Sequence, residues 1–96
     1  MDLERYGFRK DFDWNNRFDL KTRVGNYQVS TVDLGLNYQF DSSLPPLYYE
    51  TMVFKIENEK VNYADLYCER YTTEEEARVG HEIAIEYVKN KLEEER

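Results

Sequence analysis

Cysteine is almost missing from this chain: Cys68 stands alone. No internal disulfide and no thiolate metal cage can form, which suits a reducing cytosol better than a secreted scaffold. Histidine is as scarce, with His81 alone. A nucleophile-base dyad could therefore come only from Cys68 and His81, oriented by Glu50, and a metal site only from His81 with Glu50 and Asp33. A lone strand cysteine is more often a small hydrophobe than a nucleophile. No Walker loop, G-x-G-x-x-G, G-x-S-x-G or H-E-x-x-H is present, and these motifs carry phosphate cradling, dinucleotide binding, acyl transfer and zinc hydrolysis. The expectation is a non-enzymatic protein with no cofactor and no metal. Apolar runs stay well short of the ~20 residues that span a bilayer. The opening Met1-Asp2-Leu3-Glu4-Arg5 lacks the basic-then-apolar order of a signal peptide, so an intracellular protein without membrane association is expected. Positive charge is also short, with 13 Lys and Arg against 20 Asp and Glu, for a net charge of −7. The first 48 residues carry −1 of this and the last 48 carry −6. A surface so charged repels phosphate backbones, and general nucleic-acid binding is not expected.

Aromatic residues are plentiful: nine Tyr and five Phe help bring the hydrophobic share to 41% of 96 residues. That is enough core material for one small domain and too much for a disordered chain. The clearest element is the last. Thr73 followed by Glu76 forms a capping box, and Glu74, Glu75 and Glu76 sit where the helix dipole favours negative charge. At 100° per residue Ala77, Gly80, His81, Ala84, Val88 and Leu92 make one buried stripe of a helix over 73–92, followed by a tail, 93–96, expected to fray. Strands precede it across 18–71. Phe18 to Val24 and Tyr27 to Leu34, joined by Gly25-Asn26, read as a hairpin with a primed two-residue turn. Residues 37–46, with Pro45-Pro46, read as an exposed loop. Leu47 to Ile56 and Tyr63 to Arg70 read as two further strands about a turn at Glu57 to Lys60. The predicted fold class is α+β: an antiparallel sheet of about four strands packed against one C-terminal helix. Residues 1–17 mix Arg5, Arg9, Lys10 and Arg17 with Tyr6, Phe8, Phe12 and Trp14, and show no clean period. They read as an arm or an extra edge strand, and their composition would suit an anionic, ring-containing ligand.

Strand alternation assigns faces. Ser30, Val32, Leu34 and Leu36 share one face, taken as the inward one, and Met52, Phe54 and Ile56 carry Glu50 inward with them. Leu66, Cys68 and Arg70 share a face of the last strand. On this reading Glu50, Arg70 and His81 satisfy one another in a buried polar cluster between helix and sheet. The functional alternative for the same residues is a ligand pocket at the sheet edge. Val79 and Ile83 fall outside the helix stripe and offer an apolar ridge for self-association into a homo-oligomer.

Several segments taken together resemble a small, widespread group of bacteriophage and prophage proteins. They are Val29-Ser30-Thr31-Val32 with Leu34-Gly35-Leu36, Pro45-Pro46-Leu47 with Tyr49-Glu50-Thr51-Met52-Val53-Phe54, and Cys68 with Arg70-Tyr71, Thr73, Glu75-Glu76-Ala77 and Gly80-His81. The resemblance covers about residues 24–82. Such proteins usually carry Asp-His after the Leu-Gly-Leu, where this chain has Asn37-Tyr38. The resemblance implies phage origin and no enzymatic activity. The expected role is a host-defence antagonist in the host cell cytoplasm, acting by stoichiometric binding. One version sequesters a small nucleotide signal through Arg23, Tyr49, Arg70 and Tyr71, with Glu50 and His81 beside them. The other blocks a defence protein through Val79 and Ile83 and the acidic helix residues Glu74, Glu75, Glu82 and Glu86. The alternatives are an acidic nucleic-acid mimic that inhibits a host nuclease such as a CRISPR effector, or a virion or assembly component.

Overall fold

The computed structural model describes residues 8–95. Four strands pair antiparallel in chain order: β1 (Asp19–Val24), β2 (Tyr27–Asp33), β3 (Tyr49–Glu57) and β4 (Lys60–Tyr71). One helix, α1 (Glu74–Glu94), lies across one face of the sheet. This is the expected α+β plan. Both tight hairpins turn on left-handed backbone. Gly25 sits at φ +60° between the paired Val24 and Tyr27, while Asn58 and Glu59 sit at φ 54° and 63° between the paired Glu57 and Lys60. A positive φ at the first loop residue alone, as at Gly25, or at both, as at Asn58 and Glu59, marks the primed turns whose twist matches the flanking strands.

The helix starts as its capping box requires. Thr73 Oγ1 accepts from the Glu76 N–H at 3.1 Å, and Glu76 Oε1 accepts from the Thr73 N–H at 3.2 Å. Ala77, Gly80, His81, Ala84 and Val88 are buried, and Ala84 and Val88 join Tyr27, Val29 and Val53 in the core with Leu92 packed against it. The far end is firmer than its charge suggests. Glu93 and Glu94 continue the helix, and the Tyr27 phenol donates to Glu95 Oε1 at 2.8 Å. Arg96 lies outside the described residues, as do Arg5 and Tyr6.

One expectation is reversed. The face that meets α1 is not that of Val32, Met52 and Phe54 but the alternate one, where Val29, Thr31, Thr51 and Val53 are fully buried. The stripe of α1 is built from alanine, glycine and valine around one histidine, and such a surface packs closely only on small side chains. The larger Met52, Phe54 and Ile56 would hold the helix away and leave His81 without a hydrogen-bond partner. Small side chains and hydroxyls therefore decide the face, against the greater apolar bulk of the other.

Of the N-terminal segment, residues 1–7 lie outside the described residues, and from Phe8 to Arg17 it is neither a free arm nor a strand of the sheet. Phe8 makes one bridge to Leu36, a short 3-10 turn over Trp14–Asn16 is capped by Asp13, and the rings of Phe8, Phe12 and Trp14 cluster at 5.0 to 5.7 Å. Phe12 lies flat on Gly35, whose φ is +73°. A Cβ there would sit 2.6 Å from the ring, so both the backbone and the packing require glycine.

Candidate binding face

Three polar centres organise the molecule, and they lie apart. The first is under the helix. His81 is 3% exposed; its Nδ1 lies 2.7 Å from Thr31 Oγ1 and its Nε2 2.9 Å from Thr22 Oγ1. Thr31 Oγ1 is in turn 2.6 Å from Thr51 Oγ1. Hydroxyls both donate and accept, so they serve a neutral imidazole at both nitrogens. Burial pushes the His81 pKa down, with Glu82 opposing weakly. Gly80, one residue earlier, receives the ring of Tyr71, since a Cβ there would lie 2.2 Å from the phenol. The Tyr71 hydroxyl is buried beside Thr51 without closing a hydrogen bond, and burial raises its pKa.

The second centre ties down the N-terminal segment. The Arg9 guanidinium donates to both oxygens of buried Asp33 and spans the rings of Tyr48 and Tyr49, 5.2 and 5.6 Å away. Asp33 also accepts from the Gly35 N–H at 2.9 Å. A bidentate pair with flanking rings is the arrangement in which a partly buried arginine is most favourable. The Asp33 hydrogen bonds hold the Arg9 pKa above its ordinary value.

The third centre is on the face of the sheet away from α1. Arg70 Nε donates to Glu50 Oε2 at 2.8 Å, the Cys68 thiol donates weakly to the same oxygen at 3.7 Å, and the Arg70 guanidinium lies 4.9 Å from the ring of Tyr38. Glu50 is 7% exposed, directly opposite Val32 on β2 and Arg70 on β4. Its carboxylate raises the Arg70 pKa, and burial with the same negative charge raises that of Cys68. A thiol so placed stays protonated and is a poor nucleophile.

The sequence-derived cluster is therefore split. Glu50 and Arg70 do meet, but His81 is on the opposite side of the sheet and bonds to threonines. The same sheet separates Cys68 from His81, and Glu50 from both His81 and Asp33. Among the described residues no three His, Cys, Asp or Glu side chains converge so as to hold a metal ion. The nucleotide set is divided too. Arg70 is on the open face, Tyr49 and Tyr71 are on the helix face, and Arg23 is at the opposite end of β1, exposed and 3.7 Å from Glu59. The signal that could have located His81 was in the strands: Thr31 and Thr51 share the parity of Val29 and Val53, and a buried histidine needs hydroxyls.

The open face carries larger apolar groups than the covered one. Val32, Met52 and Ile56 are half-buried, Leu66 is 45% exposed, and Phe54 is sheltered by the ring of Tyr63, 5.2 Å away. Tyr63 reaches it because β4 bulges between the residue pairs Val53/Tyr67 and Lys55/Asn62, leaving 63–66 outside the regular register. On α1 the ridge expected from the sequence is present. Val79 and Ile83 are 56% and 57% exposed beside a groove of about 380 Å³ lined by Tyr71, Glu75, Glu76, Val79, Gly80 and Ile83. The acidic helix residues are exposed, but Arg78 donates to Glu74 and Lys89 to Glu86, which interrupts their field. No described helix is long and apolar enough to cross a membrane. Comparison with protein families, with curated proteins and with solved structures finds no match to this chain.

Proposed function

We propose that this chain is a small phage or prophage accessory protein that acts by stoichiometric binding, and that it antagonises a host-defence protein by docking its open sheet face on it. The observation that carries this reading is the reversal of the sheet. In an antiparallel sheet with one solvated face, polar residues normally turn outward. Here Val32, Met52 and Ile56 turn outward around a Glu50–Arg70 pair, with Phe54 sheltered under Tyr63 and Leu66 exposed at the bulge, while threonines turn in. Contiguous apolar surface with a polar centre is the composition of a recognition face. Two features favour binding over catalysis: His81 is sealed by Thr22 and Thr31, and Cys68 is held protonated beside Glu50. Capture of a protein is favoured over capture of a nucleotide, because Glu50 already neutralises Arg70, and Arg23, Tyr49 and Tyr71 do not converge with it. Mimicry of nucleic acid by α1 is weakened by Arg78 and Lys89.

The test compares wild type with Met52→Asp/Leu66→Asp as bait in lysate from a candidate host, alongside calorimetry against cyclic and ADP-ribose-type nucleotides. A partner retained one to one by wild type, and bound about tenfold or more weakly by the variant, is the expected result. Tight nucleotide binding, or equal retention by a folded variant, would overturn it.

A further inference from the structure

We propose that two copies of this chain pair antiparallel through the outer edge of β4, giving one continuous eight-stranded sheet with both helices on the same side. The pairing uses the β4 edge and leaves Val32, Met52 and Ile56 of the open face proposed above free, so this inference stands apart from that reading. It starts from the one long unprotected edge. β4 ends the sheet, and among the described residues no strand pairs with its outer edge; such an edge is a template for another strand. Its first half is spoiled for pairing by the bulge at 63–66, but Tyr67 to Tyr71 keeps unbroken register with β3, from Val53↔Tyr67 to Tyr49↔Tyr71. The other edge strand, β1, is half as long, and its Asp19, Lys21 and Arg23 are charged and exposed.

Only one register of β4 against itself is free of conflict. A two-fold axis normal to the sheet keeps the helices on one side and opposes residues of the same parity. An axis at Tyr67 sets Asp65 against Glu69; at Glu69 or Arg70 it sets that charge against its own copy, which is unfavourable. An axis at Leu66 falls in the bulge, and one at Tyr71 runs the pairing into the capped start of α1. An axis at Cys68 sets Tyr67 against Glu69 and Cys68 against its own copy within the regular stretch, with no like charges opposed.

The apolar ridge continues this edge. Val79, Ile83 and Tyr87 recur at four-residue spacing on the β4 side of α1, all exposed, with Tyr87 against the ring of Tyr67 at 5.0 Å and the groove at Val79 and Ile83 floored by Tyr71. Pairing through β4 places each ridge above a shared floor of Tyr67 and Tyr71 from both copies.

Two measurements on the full chain test this. Sedimentation equilibrium should give the mass of two chains, and Val79→Asp/Ile83→Asp should raise the dimer dissociation constant about tenfold or more with an unchanged circular dichroism spectrum. Diamide at alkaline pH, where the raised Cys68 thiol ionises, should then convert two Cys68 thiols into one inter-chain disulfide, taking up the two protons and two electrons. In a Cys68→Ser background, Tyr63→Cys should not cross-link, although Tyr63 is 75% exposed and better placed for random collision. A monomer at all concentrations, or a dimer that resists the ridge variant and cross-links at position 63 in preference to 68, would overturn the proposal.

Discussion

His81 shows how one side chain can set the environment of a whole interface. It occupies the middle of the helix stripe at 3% exposure, where an imidazolium would be desolvated. Two threonine hydroxyls make the neutral form comfortable, and burial lowers its pKa below the ordinary 6.5. The unfolded chain then binds a proton that the folded chain refuses, so stability rises with pH through this window. It is fully present above about 6.5 and is lost as pH falls below that value toward the folded pKa. As the chain has one histidine, chemical denaturation at pH 7.5 and 5.5 isolates the effect from the carboxylates. The loss should approach at most about 1.4 kcal/mol per pH unit, the limit for one proton. His81→Asn should start less stable and lose this slope; an unchanged slope would remove His81 as its source.

Among the secondary-structure elements, the turns hold an unspent reserve. Glu59 stands at φ 63° in the β3–β4 turn, where a side chain costs roughly 1–2 kcal/mol against glycine. Its compensation is a 3.7 Å contact with Arg23 between exposed groups, which contributes little. Glu59→Gly creates the Asn-Gly pair that this turn prefers. It should stabilise the protein by roughly 0.5–1 kcal/mol, seen as a rise of several degrees in melting temperature for a domain of this size. The strands teach a different lesson. The extent of β1 to β3 and the turns were legible because alternation and turn chemistry are local, as with Val24-Gly25-Asn26-Tyr27, but β4 begins three residues earlier than its pattern suggested because a bulge interrupts its alternation. The facing of the strands was not legible, because alternation says which residues share a side and not which side meets the helix.

At the scale of the whole molecule, charge opposes assembly. Each chain carries −7, so bringing two together through β4 stores repulsion that salt should screen. Dimerisation should therefore tighten between roughly 20 mM and 500 mM NaCl, where the Debye length falls from tens of ångströms to a few. Sedimentation at the two concentrations reads this directly. A dimer held by salt bridges across the acidic helices would instead loosen.

Local physical chemistry in the sequence determined the elements themselves: the capping box at Thr73, the small stripe of α1, the Gly25 turn and the exposure of Val79 and Ile83, whereas β4, read as Tyr63 to Arg70, runs from Lys60 to Tyr71 through a bulge. The meeting of Glu50 with Arg70 was also legible, since neighbouring strands in register put like-facing residues together. Tertiary structure alone decided which face of the sheet α1 covers, because that choice weighs packing distance and hydrogen bonding over the whole interface. Small residues with hydroxyls outweighed larger apolar groups. That one choice placed His81 among threonines, away from Glu50 and Arg70, and left Met52, Leu66 and Val32 facing outward as the surface on which binding is proposed.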